Sequence, residues 1–318
     1  MNQLKYMVIG AGGTGGGIGG FLSKAGKDVT MIARGTHLLA MCKGGLHVES
    51  LHGSYMVPVR ACAMEEYGSQ PSYTQSPDVI FVCVKGYSLD GIVPFIRRIS
   101  KKGTIVIPIL NIYGTGKKLQ KELPELTVTD GCIYIASEIK EPGTILMSGD
   151  IFRVVYGFRK GTPLEIQNTA RPLLETVRQD LEEADILPIF SEEVERDTLK
   201  KFSFVSPMAA VGAACDVPAQ AMQEGGQFRS LFVSLVREIK TISAAMGICL
   251  PDDIVEINLK IMDDLIPTAT ASMQRDIKKG GQSEVDGLVY EVVRLGDAYH
   301  VPVPEYKRLS EVLKTKLL

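Results

Sequence analysis

A glycine-rich stretch near the start of the chain limits what this protein can fold into. Residues 4–9 form an apolar run that predicts a buried parallel strand, and the pattern G-x-G-x-x-G follows at once. Residues 18–25 can then continue as a helix. In such a unit the glycines permit a tight turn, a close approach of the backbone to a pyrophosphate, and close packing of helix on strand. The pattern predicts a dinucleotide site rather than a turn that is merely rich in glycine. The predicted cofactor-binding loop comprises Gly10, Ala11, Gly12, Gly13, Thr14 and Gly15.

The residue after the second predicted strand, residues 29–33, indicates which dinucleotide binds. In this fold an acidic residue there holds the ribose 2′-hydroxyl of NAD, whereas an arginine accommodates the extra phosphate of NADP. This chain has Arg34 at that position, and its next acidic residue is Glu49. A guanidinium can bind a phosphate through two parallel hydrogen bonds. We therefore predict NADP(H) as the cofactor, the alternative being that Arg34 is a solvated surface residue.

Length and composition exclude several classes of protein. At 318 residues, with 45% hydrophobic residues, 23% charged residues and a net charge of -2, the chain resembles an ordinary globular protein of two domains. It has no basic excess for nucleic acid and no apolar run near the roughly 18 residues of a membrane span. The first strand begins too early for a signal peptide. Six cysteines without C-x-x-C or metal spacing indicate reduced thiols, no metal site and a cytoplasmic location.

The order of predicted elements divides the chain into two domains. Strands alternate with helices up to residue 190, which is typical of an α/β doubly wound sheet. Two apolar strands, residues 79–84 and 104–110, bring Lys85 and Asn111 to the carboxyl edge of that sheet, where ligands bind. Beyond residue 190 only helices are predicted, over residues 191–214, 227–246, 252–264, 270–279, 284–299 and 304–316. We predict an NADP-binding Rossmann domain over residues 1–190 and an all-helical substrate and catalytic domain over residues 191–318.

A lysine in the helical domain is a candidate proton donor. Histidine occurs only at positions 37, 47, 52 and 300, so no imidazole is available in the middle of the chain. Lys201 lies in an apolar helical stretch, and the residues one and two turns further on are Val205 and Ala209. Such a lysine either extends its ammonium group to solvent or is held in a cleft.

A second cluster of polar residues lies further along the helical domain. Ser272 and Asp276 share one helix face, and Glu284 opens the next predicted helix after a diglycine turn. An exposed capping box would account for Ser283 and Asp286 equally well.

Together these residues resemble the ketopantoate reductase family over nearly the whole chain. The resemblance rests on the glycine pattern, Arg34, the strands that end at Lys85 and Asn111, and the order of the lysine, serine and acidic residues. It implies NADPH-dependent reduction of 2-dehydropantoate to pantoate, as in pantothenate and coenzyme A biosynthesis. By this resemblance the site roles are Lys201 as general acid, Glu284 as its partner and a substrate ligand, Ser272 as ligand of the substrate carboxylate, Asn111 as contact to cofactor and substrate, and Lys85 as a cofactor contact.

The chain departs from the family pattern in its substrate contacts. Asparagines often stand where this chain has Val205 and Ala209, and a glycine often follows the asparagine where it has Ile112. The Asn-Gly that often follows the glutamate is replaced by Val289 and Tyr290. The loss of two amides should weaken the binding of a polar substrate by about 1 kcal/mol for each missing hydrogen bond. The alternatives are therefore a reductase of a more apolar 2-oxoacid and a non-catalytic NADP(H) sensor.

The expected chemistry is hydride transfer to the C2 carbonyl carbon in the cleft between the domains. Lys201 donates a proton to the developing alkoxide, and Glu284 keeps the lysine charged and oriented. A short-chain dehydrogenase pattern, Tyr113 and Lys117 with Ser100 upstream, is disfavoured because two glycines separate the tyrosine from the lysine. The expected partner is a small 2-oxoacid, and a homodimer is left open.

Overall fold

The structure is a computed structural model that describes residues 3–68 and 75–317, and it contains two compact units. The first unit comprises Met1–Leu110 and Gly114–Val194, and the second comprises Asn111–Tyr113 and Glu195–Leu318. None of the helices in the described residues is long and apolar enough to span a membrane.

The first unit is built on a parallel sheet of six strands in the order β5-β2-β1-β6-β7-β8. Its strands are β1 (Lys5–Ile9), β2 (Asp28–Ile32), β5 (Arg60–Cys62), β6 (Val79–Val82), β7 (Ile105–Pro108) and β8 (Thr127–Val128). The strand order reverses direction between β1 and β6, which is the arrangement of a doubly wound dinucleotide-binding sheet. The predicted α/β class with a Rossmann-type sheet is confirmed.

Two smaller sheets, which the sequence analysis did not separate from the doubly wound sheet, complete the first unit. One has the order β10-β11-β3-β4 and the other the order β13-β12-β9. Their strands are β3 (Leu46–Ser50), β4 (Gly53–Val57), β9 (Asp130–Tyr134), β10 (Ser137–Glu141), β11 (Thr144–Met147), β12 (Arg153–Gly157) and β13 (Leu187–Phe190). The separation arises because β3 pairs with β11, which follows it almost a hundred residues later, and a pairing of that range leaves no local pattern.

The first helix lies between the parallel sheet and the four-stranded sheet. The helices of the first unit are α1 (Gly13–Lys24), α2 (Gly35–Gly44), α3 (Leu89–Ile99), α4 (Thr115–Glu122) and α5 (Leu164–Glu183), with a 3-10 turn at Gly86–Ser88. A Cβ added to Gly19 would lie 2.6 Å from Met31 of the parallel sheet, and one added to Gly16 would lie 2.7 Å from Ile145 of the four-stranded sheet. The glycines of α1 therefore serve close packing on two sides as well as the turn before it.

The second unit is helical throughout its described residues. It contains α6 (Val194–Cys215), α7 (Ala219–Gln223), α8 (Gln227–Ala245), α9 (Ile254–Asp263), α10 (Ser272–Lys278), a π-helical turn (Asp286–Tyr290), α11 (Glu291–Ala298) and α12 (Pro304–Lys316). Its core includes Phe232, Leu235 and Tyr306, all fully buried. The predicted all-helical C-terminal domain is confirmed as a fold.

Three details of the helices differ from the sequence prediction. Helix α6 begins at Val194 instead of residue 191, because the Ser191 hydroxyl accepts a hydrogen bond from the Glu193 N–H at 3.0 Å and forms a separate turn. The short helix α7 was not predicted. The segment predicted as one helix over residues 284–299 starts with the π-helical turn and continues as α11.

Candidate functional site

The glycine loop after β1 leaves space at the beginning of α1. Gly10 has a φ of +98°, and a Cβ added to Gly15 would lie 2.0 Å from the Gly10 carbonyl oxygen, so both positions exclude a side chain. At Gly12, which precedes the first turn of α1, an added Cβ would meet nothing within 4 Å. The backbone N–H groups at this helix start can therefore be approached by an anionic group.

The rest of the loop is closed in by neighbouring elements. Ala11 is buried, and a Cβ added to Gly13 would lie 2.6 Å from the Ser137 carbonyl oxygen of β10. Thr14 is half-buried. Strand β10 thus lies against one side of the first turn of α1, while the side at Gly12 stays open.

Arg34 occupies the N-cap position of α2, just beyond β2. Its backbone is extended and its side chain exposed, and within the described residues its guanidinium makes no hydrogen bond or ion pair. The positive end of α2 lies next to it. This corner of the first unit therefore offers a charged, planar donor beside a helix N-terminus.

His37 joins three parts of the first unit, a role that sequence reasoning missed. Its Nδ1 accepts a hydrogen bond from the Gly143 N–H at 3.0 Å, which assigns the proton of the neutral ring to Nε2. Burial lowers the pKa of His37, although a hydrogen bond with the Ala11 backbone opposes the shift. A neutral His37 thus links the β10–β11 hairpin to α2 and the glycine loop. A histidine three residues after Arg34 carries no sequence signal for this contact.

Two residues beyond β6 differ in role. Cys83 lies against Gly10 and Gly15, and burial raises the pKa of its thiol, so it is an inert packing residue. Lys85 is half-buried, with extended backbone, and its carbonyl oxygen accepts the Ser88 N–H at 2.9 Å. It lies at the carboxyl edge of the parallel sheet, as its position after β6 requires.

In the second unit, Lys201 is hydrogen-bonded to Asn111. The Lys201 Nζ donates to the Asn111 Oδ1 at 2.5 Å, across ninety positions of sequence. Lys201 is half-buried, whereas Asn111 is exposed. The ammonium group is therefore held by an amide oxygen instead of only extending to solvent.

The residues after Asn111 pack on the helices of the second unit. A Cβ added to Gly287 would lie 2.4 Å from the Ile112 Cδ1, so Ile112 rests directly on the π-helical turn. The Tyr113 ring lies 6.2 Å from the Phe202 ring, centroid to centroid. These two contacts fix the segment that presents Asn111 to Lys201.

The short-chain dehydrogenase pattern is not supported by this geometry. Gly114 is in the left-handed region with a φ of +77°, and α4 begins at Thr115. Tyr113 therefore does not share a helix with Lys117, as that pattern requires.

The polar cluster further along the chain occupies two elements. Ser272 opens α10 and is half-buried, and its hydroxyl makes no hydrogen bond within the described residues. Asp276 follows one turn later on the same helix. Glu284 is buried, 6% exposed, and its carbonyl oxygen accepts the Leu288 N–H at 2.9 Å just before the π-helical turn. A buried carboxylate at the start of a turn is costly unless other groups stabilise it.

The alternative of a capping box does not fit the structure. The π-helical turn has no side-chain cap, and Asp286 pairs instead with Arg294, whose Nη1 lies 2.8 Å from its Oδ1. Ser283 is half-buried.

The two apolar replacements one and two turns after Lys201 have different surroundings. Val205 is half-buried, whereas Ala209 is 1% exposed and belongs to the core of the second unit. Only Val205 is thus accessible enough to contact a ligand. Among the described residues, no three His, Cys, Asp or Glu side chains gather as metal ligands.

Comparison with known proteins gives consistent matches along the chain. Residues 6–161 match the family described as Ketopantoate reductase PanE/ApbA, and residues 193–317 match its C-terminal part. The uncharacterized oxidoreductase YkpB of Bacillus subtilis (strain 168) is 26% identical over 285 residues, covering 90% of this chain and 89% of that protein. The 2-dehydropantoate 2-reductase of Aquifex aeolicus (strain VF5) is 24% identical over 319 residues, covering 99% and 97%.

A solved structure shares the fold over the same length. D-mandelate dehydrogenase in a ternary complex with NADH and anilino(oxo)acetate superposes with a TM-score of 0.85. It is 20% identical in sequence, and the match covers 98% of each chain.

Proposed function

The chain belongs to the ketopantoate reductase family and is an oxidoreductase, and we propose that it reduces 2-dehydropantoate to pantoate with NADPH. The first unit, with the glycine loop, is assigned to the cofactor, and the second, with Lys201, to the carbonyl group. The pantoate formed would serve pantothenate and coenzyme A biosynthesis. No disulfide joins cysteines within the described residues, which suits the reducing cytoplasm that we propose as its location.

The hydrogen bond between Lys201 and Asn111 is the observation that carries this proposal. When bound, the nicotinamide would supply a hydride to the C2 carbonyl carbon, and the carbonyl oxygen would gain negative charge. An ammonium group held at 2.5 Å by a neutral amide keeps a proton and a fixed direction, and it can donate that proton to the oxygen. The lysine then regains its proton from solvent. We assign to Asn111 the role of orienting the Lys201 ammonium group.

The buried Glu284 and the half-buried Ser272 are assigned to the same reaction. A carboxylate near the lysine favours the charged ammonium form. The Ser272 hydroxyl, which has no partner within the described residues, is available to a substrate carboxylate.

The cofactor preference is proposed from the first unit. The open side of the loop at Gly12 suits a pyrophosphate at the start of α1. Arg34 at the start of α2 supports NADPH over NADH, because a phosphate on the ribose would meet both the guanidinium and the helix N-terminus. Lys85 at the sheet edge is assigned a further cofactor contact.

A more apolar 2-oxoacid is the second candidate substrate. Val205 and Ile112 offer methyl groups where the family pattern has an amide and a glycine. D-mandelate dehydrogenase, whose structure contains the aromatic ligand anilino(oxo)acetate, has the same fold. A substrate with an apolar side chain would lose no binding free energy next to these residues. The hydroxyl of 2-dehydropantoate would lose a hydrogen bond worth about 1 kcal/mol.

The test is the rate of NADPH oxidation with 2-dehydropantoate and with branched aliphatic and aromatic 2-oxoacids, each repeated with NADH. We expect NADPH-selective turnover of 2-dehydropantoate. Turnover confined to apolar oxoacids would move the assignment to the second candidate. Tight NADPH binding with no turnover of any oxoacid would indicate a non-catalytic NADP(H) sensor.

A further inference from the structure

We propose, on the basis of the function proposed above, that Ser206 and Tyr306 are positioning residues for the catalytic site. They hold the π-helical turn that follows Glu284 against the helix that carries Lys201. Neither residue belongs to a sequence motif. Their role is inferred from a buried chain of hydrogen bonds that joins α6, this turn and α12.

The hydrogen bonds of Ser206 have a defined direction. Ser206 lies on α6, five residues after Lys201, and is fully buried. Its Oγ is 2.6 Å from the Leu288 carbonyl oxygen and 2.5 Å from the Tyr306 hydroxyl oxygen. A carbonyl oxygen can only accept, so the single proton of Ser206 is donated to Leu288. Tyr306 must then donate its own proton to Ser206.

The chain of bonds continues to the backbone of Glu284. The Leu288 N–H donates to the Glu284 carbonyl oxygen at 2.9 Å, while the Leu288 carbonyl oxygen accepts from Ser206. One peptide segment thus connects the lysine helix to the residue that presents the buried carboxylate. A shift of Leu288 would carry Glu284 with it.

The same turn also contacts the segment of Asn111. Ile112 packs on Gly287, where an added Cβ would come within 2.4 Å of its side chain. The turn is therefore fixed on one side by Ser206 of α6 and on another by the neighbour of Asn111. Since Asn111 accepts the hydrogen bond of Lys201, displacement of the turn would disturb both Asn111 and Glu284, the two groups assigned to the lysine above.

Tyr306 is itself held firmly in place. It is fully buried, and its backbone N–H donates to the Glu238 Oε2 at 3.1 Å. Burial raises the pKa of the Tyr306 hydroxyl well above its ordinary value. The phenol therefore stays protonated and remains a donor at any pH at which the enzyme works.

The experiment compares Ser206→Ala and Tyr306→Phe with Ser203→Ala as a matched control. Ser203 is on the same helix and equally buried, but its hydroxyl donates to the Lys200 carbonyl oxygen and accepts from Asn258 of α9. Because a misplacement of about 1 Å can cost on the order of 10²-fold, we expect Ser206→Ala to lower kcat about ten- to a hundredfold. The Kd of NADPH should not change. Tyr306→Phe should have a smaller effect, since Ser206 still reaches Leu288.

Two outcomes overturn the inference. One is an unchanged kcat in Ser206→Ala. The other is that Ser203→Ala loses kcat as the other two variants do, with the loss of kcat proportional to the loss of melting temperature in all three. Such a result is the behaviour of purely structural residues.

A second readout does not depend on turnover and separates this inference from the proposed function. The rate at which an amine-reactive reagent labels Lys201 at fixed pH reports its unprotonated fraction, which rises when a nearby carboxylate moves away. We expect faster labelling in Ser206→Ala and no change in Ser203→Ala. If the wild type reduces no 2-oxoacid, equal labelling in all variants would still refute the positioning role.

Discussion

The glycine loop of the first unit and the Lys201 site of the second are made in opposite ways. At the loop, the geometry depends on side chains that are absent: an atom added at Gly15 would meet the backbone at 2.0 Å. At the Lys201 site, it depends on side chains that bridge 82 to 100 positions of sequence, through Asn111, Ser206 and Tyr306. Adding an atom should therefore damage the first region, and removing one should damage the second.

The largest expected effect comes from Gly15→Ala, with Gly12→Ala as its control. The new methyl group of Gly15→Ala would lie 2.0 Å from the Gly10 carbonyl oxygen, and this backbone atom cannot move as a side chain would. We expect the free energy of unfolding to fall by more than the ~1–3 kcal/mol that is typical of overpacking. Thermal unfolding should then detect little folded protein. Gly12→Ala has open space and should keep its melting temperature while binding NADPH more weakly. A stable Gly15→Ala would break the contrast.

Asp180→Ala tests whether buried side-chain networks in the first unit serve stability alone. Asp180 accepts the Tyr6 hydroxyl at 2.5 Å and the Lys27 ammonium at 2.6 Å. Its removal leaves the Tyr6 hydroxyl without its partner and weakens the pairing of Lys27, which Glu183 still contacts. We expect the free energy of unfolding, measured in urea, to fall by about 3 kcal/mol. The kcat of the folded fraction should not change, and a fall in kcat would show that the two regions are less distinct than described.

Arg34→Ala tests the proposal that Arg34 selects the cofactor, in a region otherwise formed by glycines. Loss of charge-assisted hydrogen bonds worth about 1.5–3 kcal/mol should weaken NADPH binding about ten- to a hundredfold. NADH binding, measured in parallel, is the control and should not change. Equal losses for both cofactors would mean that Arg34 shapes the loop instead of contacting a phosphate.

The smallest effect is expected at Glu238, which binds the Glu305 and Tyr306 N–H groups at 2.8 and 3.1 Å. Burial raises the pKa of Glu238, and these two hydrogen bonds only partly oppose the shift. An acid whose folded-state pKa is raised stabilises the fold below its unfolded pKa and loses this contribution as pH rises through the folded value.

Glu238→Gln removes that titration. The difference in the free energy of unfolding, wild type minus variant, should therefore be larger at about pH 4 than at about pH 7. A difference that grows with pH would show that Glu238 is stabilised as a carboxylate.

Local patterns predicted the first region well and the second only in part. The strand, glycine turn and helix are consecutive in sequence, so the doubly wound sheet could be predicted from them. In the second region, the sequence could not distinguish Val205 from Ala209. In the structure Val205 is half-buried, whereas Ala209 lies in the core. Helix periodicity gives positions along one helix but not what packs against it, and the contact of Ile112 with Gly287 is of that kind.

The most direct test of the assignment of Lys201 as proton donor is Lys201→Met, which keeps the length of the side chain but removes its charge. We predict a fall in kcat of about 10²- to 10⁴-fold, the usual contribution of a general acid, with the Kd of NADPH unchanged. A kcat close to that of the wild type, or equal losses in kcat and NADPH affinity, would contradict this assignment.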